Sequence, residues 1–158
     1  MEGYMRIDVK LLHGQVAMAW SSKLNPQAIV VANDALVDNE LQKMALKMAK
    51  PDGMKLAIRT VSDAITLLKD PQVQDMKILI LTKNSADALQ IAQNVQGIKW
   101  LNVGGMNGRK KDAKMVVQQI YLDPTDIENI KKMVPLVGEV DFRIVPTDKN
   151  YDVQKVLF

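Results

Sequence analysis

The chain has 158 residues, 47% of them hydrophobic and 25% charged, which fits one soluble globular domain large enough for a real core. It has no cysteine, so disulfides, thiolate metal sites and a cysteine nucleophile are excluded together, in keeping with a reducing compartment. The net charge of +3 is too mild for a nucleic-acid-binding face, no apolar run approaches a membrane span, and Met1-Glu2-Gly3-Tyr4 does not read as a signal peptide. A cytoplasmic location is expected.

Tyr4 to Leu12 alternates and carries β-branched residues, the pattern of a first strand. Gln15 to Lys23 has helical spacing and stops before Asn25-Pro26. Ala28 to Ala32 is a continuous apolar run, the mark of a strand buried on both faces. Asn33 or Asp34 could cap the next helix, which carries Leu36, Leu41, Met44, Ala45 and Met48 and ends at Pro51-Asp52-Gly53. Lys55 to Thr60 reads as a strand, Ser62 to Lys69 as a short helix, and Lys77 to Thr82 as the clearest buried strand. Ser85 caps a helix to about Val95, and Lys99 to Val103 is a further strand running into Gly104-Gly105-Met106. Beyond a basic loop, Arg109-Lys110-Lys111, the reading is strand Val117 to Leu122, then a helix opened by Asp123-Pro124-Thr125-Asp126 and reaching Met133. Glu139 to Val145 is a last strand, followed by a short helix from Tyr151.

Strands alternating with helices predict an α/β fold: a single domain, residues 1–158, with a mostly parallel central sheet of about six to seven strands and helices on both faces. A parallel sheet brings its strand carboxyl ends to one edge. The loops after strands one, two, four and five, with His13, Asn33-Asp34, Thr82-Asn84 and Gly104-Gly105, are therefore expected to line one cleft.

His13 is the only histidine. A lone histidine is more often a satisfied structural residue than a catalyst, but this one precedes Gly14 at a strand-to-helix turn. Helix N-terminal N–H groups favour an anion there, and glycine lets a phosphate approach the backbone. Neutral imidazole can act as a nucleophile, Lys10 could meet a phosphoryl group, and Asp8 could orient the ring. One histidine without cysteine argues against a metal centre. No Gly-x-Ser-x-Gly elbow, Walker A loop or Gly-x-Gly-x-x-Gly turn occurs. Gly104-Gly105 lets backbone approach a neighbour or a ligand, or is only a tight turn. Arg109 to Lys111 is a solvated loop or a docking patch for an acidic partner, and Trp100 is core or cleft wall.

Arg6-Ile7-Asp8-Val9-Lys10-Leu11-Leu12-His13-Gly14-Gln15-Val16 resembles the active-site segment of enzyme IIB components of the mannose/fructose/sorbose class of the bacterial sugar phosphotransferase system (PTS), whose pattern reads Arg-Ile-Asp-Asp-Arg-Leu-Ile-His-Gly-Gln-Val. The likeness continues through Ile29–Asp34, Met48–Gly53, Asn102–Met106, Tyr121–Ile127 and Val145–Asp148, nearly the whole chain in order. The resemblance implies a sorbose-type IIB domain, a protein-phosphohistidine–sugar phosphotransferase. His13 would accept the phosphoryl group at Nδ1 from a phosphorylated IIA component and pass it to a sugar held by the membrane components IIC and IID. Asp8, Lys10, Gly14 and Gln15 would bind or orient the phosphate, with Arg6, Asn33, Asp34, Gly104 and Gly105 in the cleft. No cofactor, metal, nucleotide or nucleic acid is expected. The protein would sit in the cytoplasm against the inner face of the membrane complex, without a fused IIA.

Two departures fall inside the motif: Val9 stands where the family has aspartate, and Lys10 where it has arginine. Lysine keeps the charge but loses the bidentate grip on phosphate. Asn107-Gly108-Arg109 replaces the aromatic and arginine that relatives often carry. The alternative reading is a IIB-like, non-enzymatic regulatory or interaction module with weakened transfer.

Overall fold

The apolar runs become the middle of a sheet. The computed structural model describes residues 1–12 and 14–158, and the prediction that falls on His13 lies outside them. The first strands are β1 (Glu2–Asp8), β2 (Ala28–Ala32), β3 (Lys55–Arg59), β4 (Lys77–Thr82) and β5 (Ile98–Gly105). A hairpin of β6 (Lys114–Val117) and β7 (Ile120–Leu122) follows, and then β8 (Val140–Asp141). The main sheet has six parallel strands in the order β3-β2-β4-β1-β5-β8, and the hairpin forms a separate antiparallel pair. Every residue of β2 is buried, as are the last five of β4, because helices cover both faces of these inner strands. Edge strand β3 begins and ends on exposed Lys55 and Arg59, charges that discourage further pairing.

Alternation along the strands splits the core in two. Met5, Ile7, Val30, Ile78, Ile80 and Val103 face a cluster closed by α3 (Val61–Lys69), α4 (Ser85–Asn94) and α5 (Pro124–Met133). Ile29, Val31, Leu79 and Leu81 face the opposite cluster, closed by Leu24 of α1 (Gly14–Leu24) and Leu46 of α2 (Glu40–Ala49). The chain after β1 therefore turns to one face and the chains after β4 and β5 to the other. Such a divergence opens a crevice at the carboxyl end of β1. No helix among the described residues is long and apolar enough to cross a membrane.

Several boundaries differ from the sequence reading, each for a local reason. The first strand stops at Asp8 because Leu11 adopts the left-handed region (φ 56°), and Leu11 and Leu12 are buried as loop anchors. The helix after β2 starts at Glu40, capped by Asn39, whose side chain accepts from the Gln42 N–H; Asn33 and Asp34 do not cap it. The cap of α4 is Asn84 rather than Ser85. The run Val117 to Leu122 is broken at Gln119 (φ 65°) into the hairpin turn. The last strand shrinks to Val140–Asp141, since the Arg143 carbonyl is taken by the side chains of Arg6 and Asn102. Helix α5 opens as its sequence implies, with Pro124 in its first turn and a capping box between Asp123 and Asp126. The short last helix, α6, is Val153–Leu157.

Candidate active site

Asp8, the last residue of β1, organises the loop that follows it. Its Oδ1 accepts the Lys10 N–H at 2.9 Å, and its carbonyl accepts the Leu11 N–H at 2.9 Å. The Val9 N–H donates to the Gly105 carbonyl of β5 at 3.1 Å. With Leu11 and Leu12 sunk into the core, residues 8–12 form a pinned turn that delivers the chain to the N-terminus of α1 at Gly14.

Beneath the turn lies a buried charged network. Arg6 donates to Asp8 Oδ2 from Nη2 at 3.0 Å and from Nε at 3.3 Å, and both residues are almost fully buried. Its Nη1 donates to Asn102 Oδ1 and to the Arg143 carbonyl. Asn102 Nδ2 donates in turn to Asp141 Oδ1 and to the same carbonyl, both at 2.9 Å. Arg143 grips Asp141 through Nε and Nη2. Two cations thus meet two anions, which is what keeps so many buried charges tolerable. Burial pushes the Arg6 guanidinium down while Asp8 and Asp141 hold it up, and the hydrogen bonds to Asp141 push Arg143 up. Both stay cationic. Trp20 of α1 packs against the network. Its ring is within cation–π reach of both Arg6 (5.8 Å) and Arg143 (5.4 Å), lies 4.9 Å from Trp100, and its indole N–H donates to the Ile144 carbonyl. Trp100 is core, with its own N–H on Asp141.

The paired glycines are explained by this network. Neither Gly104 nor Gly105 has a positive φ, so neither is needed for a turn. A Cβ on Gly104 would strike the Arg6 guanidinium and lie 2.6 Å from Asn102 Oδ1. One on Gly105 would strike the Asp8 carboxyl, with Oδ2 at 2.6 Å. The missing side chains give the Arg6–Asp8 pair its room against β5.

Arg6, Asp8, Lys10, Gly104 and Gly105 line one cleft of about 260 Å³, together with Val9, Val16, Met106, Asn107, Gln119 and Ile144. Gln15 is exposed on the first turn of α1. The expected common cleft is divided by the turn. A second hollow of about 310 Å³ lies on its other side, lined by Val9 to Leu12, Lys83 after β4, and Leu36, Gln42, Ala45 and Leu46. Asn33 and Asp34 line neither. The Asn33 N–H pairs with the Arg59 carbonyl, and Asp34 Oδ1 accepts the Val61 N–H at 2.8 Å, holding β2 to the start of α3. Arg109, Lys110 and Lys111 are all exposed, as a solvated basic loop requires, and Lys110 in addition reaches Asp126 at 2.9 Å and Asp123 at 3.3 Å. Burial would lower the Lys110 ammonium, but these two carboxylates outweigh it and raise it. Asp126 also accepts the Ser85 hydroxyl, so the loop is tied to the starts of α4 and α5. Asp141 and Arg143 carry no signal in the sequence, Trp20 reads there only as a core residue, which it is, and only the position of Asn102 just before the double glycine hints at its part. Among the described residues, no group of three or more histidine, cysteine, aspartate or glutamate side chains could hold a metal.

The model of the PTS system sorbose subfamily IIB component matches residues 3–158. The chain belongs to this family. It is 40% identical over 160 residues to a probable phosphotransferase enzyme IIB component of Streptococcus pyogenes, covering 97% of each chain. It is 33% identical to the sorbose-specific EIIB component of Klebsiella pneumoniae, over 94% of this chain and 90% of that one. The crystal structure of the IIBSor domain of the Klebsiella pneumoniae sorbose permease superposes with a TM-score of 0.89 at 32% identity, covering 99% of this chain and 96% of the other. The resemblance seen in the sequence is thereby established, as is the parallel α/β fold it implied. This IIB component has a phosphotransfer role in a sugar PTS.

Proposed function

We propose that His13 is the phosphoryl acceptor, that the donor is a phosphohistidine on a IIA component, and that the phosphoryl group passes onward to a sugar held by IIC and IID. The whole chain then works as one IIB unit at the cytoplasmic face of the membrane complex. The observation that carries this reading is the pinned turn. Asp8 to Leu12 is fixed by three hydrogen bonds and two buried leucines directly before His13, at the carboxyl edge of a parallel sheet and the N-terminus of α1.

In the first step a lone pair of the neutral imidazole attacks phosphorus in line. The new P–N bond forms as the donor's P–N bond breaks, and the donor imidazole leaves with its electron pair. In the second step a sugar hydroxyl attacks, the P–N bond to His13 breaks, and the hydroxyl proton is released. Such transfers need positioning and charge stabilisation more than covalent chemistry. Lys10, exposed on the rim of the cleft, supplies a positive charge, and the N–H groups at the start of α1 supply a field that favours the phosphoryl anion. Asp8 Oδ1 accepts the Lys10 N–H, and a carboxylate oxygen has capacity for a second donor such as a ring N–H.

The test is intact mass after incubation with a phosphoenolpyruvate-driven relay that includes a phosphorylated IIA. One phosphoryl group is expected, labile to acid and stable to base, and absent from His13→Ala. Full labelling of His13→Ala would overturn the assignment. No labelling of the native chain would favour a silent regulatory module.

A further inference from the structure

Among the described residues, three that are not glycine take a positive φ: Leu11 (56°), Asn25 (49°) and Gln119 (65°). Such a backbone is costly for any side chain with a Cβ. Two of the three have a local reason. Asn25 directly follows α1, where asparagine is at home, and Leu11 is sunk into the core. Gln119 has neither. It is exposed, and it is the second residue of the two-residue turn between β6 and β7, where Val117 pairs with Ile120. A positive φ at that position ordinarily selects glycine or asparagine. Strain kept under an exposed side chain points to work done by that side chain.

The tip of the hairpin is fixed over the cleft. Ile120 and Leu122 are buried, and the Tyr121 N–H donates to the Met106 carbonyl at 3.0 Å, fastening the hairpin to the chain that leaves β5. Gln119 thereby joins the cleft lining that holds Arg6, Asp8, Lys10 and Asn107. Arg6 and Asp8 are committed to each other and to the network beneath. Asn107 Oδ1 accepts the Arg109 N–H at 3.3 Å and so shapes its own loop. Lys10 brings a point charge without a planar fork. A phosphoryl group in transfer spreads its charge over three oxygens. The Gln119 amide offers two N–H donors to them, and being neutral it does not repel Lys10.

We infer that Gln119 is a second catalytic residue beside His13, its Nε2–H group donating to the oxygens of the phosphoryl group in transfer. The inference rests on the reading of His13 as the acceptor.

The experiment is quench-flow measurement of phosphoryl acceptance over a range of phosphorylated IIA concentrations, with the Tm of each variant. Gln119→Gly removes the carboxamide and releases the backbone. Its Tm should hold or rise by up to about 4 °C. Its rate at saturating IIA should fall about ten- to a hundredfold, with the half-saturating concentration unchanged. Gln119→Asn, at ease in this backbone, should recover most of the rate. Gln119→Glu, equal in size but charged and without a donor, should fall below Gln119→Gly. Gln118→Ala alters the other turn residue, which is not in the lining of this cleft, and should match the native chain. A native rate in Gln119→Gly, or a change confined to the half-saturating concentration, would overturn the inference. So would a Tm that falls together with the rate. A native chain that accepts no phosphoryl group, or accepts it elsewhere than on His13, would overturn the reading of His13 and this inference with it.

Discussion

Gly105→Ala is the sharpest test of how the cleft is built. The backbone at residue 105 has no positive φ, so alanine meets no conformational penalty, and the whole effect must come from contact. The new methyl would drive into the Asp8 carboxyl, which is held by Arg6 from one side and by the Lys10 N–H from the other. Overpacking of a close contact costs about 1–3 kcal/mol, and losing the Asp8–Lys10 hydrogen bond adds about 0.5–1.5 kcal/mol. A total of about 3 kcal/mol corresponds to a fall in Tm of roughly 6–12 °C for a chain of this length. Thermal and urea denaturation, with Gly53→Ala as control, would measure it. Gly53 has φ +81° and nothing near its would-be Cβ, so its alanine variant isolates backbone strain of about 1 kcal/mol. If Gly105→Ala were as stable as the native chain, or no worse than Gly53→Ala, the account of the double glycine as room for Arg6–Asp8 would be refuted.

Arg6→Met should destabilise the fold by about 3–5 kcal/mol, because Asp8 and Asp141 lose a buried counter-charge. Adding Asp8→Asn should restore part of that in a double-mutant cycle; strict additivity would show that the pair is not coupled. Lys10→Arg restores the planar fork and should leave the rate of phosphoryl acceptance unchanged or raise it; a marked fall in a quench-flow assay would show that Lys10 has another job. The Tyr4 hydroxyl donates to Glu2, and this bond raises Tyr4 from an ordinary 10.0 to about 12. The neutral phenol is the bonded form, so its contribution to stability is complete below pH 10 and fades as pH rises from about 10 to about 12. Tyrosinate absorbance should show a late titration for Tyr4, moved back towards 10.0 in Glu2→Gln.

The sheet was legible because a strand covered on both faces must be apolar throughout, and Ala28–Ala32 and Lys77–Thr82 match their runs residue for residue. Errors gathered where one residue redirects the chain. Leucine at 11 and glutamine at 119 adopt a backbone that neither residue type advertises, so a strand was drawn too far in one place and a hairpin missed in the other. The convergence of Arg6, Asp8, Lys10, Gly104 and Gly105 was legible because parallel strands end on the same edge. Asn33 and Asp34 share that edge, yet Asp34 turns its carboxylate to Val61, a choice between neighbours that periodicity does not record. The bond from Arg6 to the Arg143 carbonyl spans 137 residues, and no local pattern carries a contact of that kind.

The tilted indole pair has a practical consequence. Trp20 and Trp100 are the only tryptophans in the chain, and both look onto the guanidinium groups and carboxylates under the turn. Any charge gained on the turn alters the field across coupled chromophores 4.9 Å apart. The protein thus carries its own optical gauge, in which near-ultraviolet dichroism and indole emission report the state of the cleft without a label.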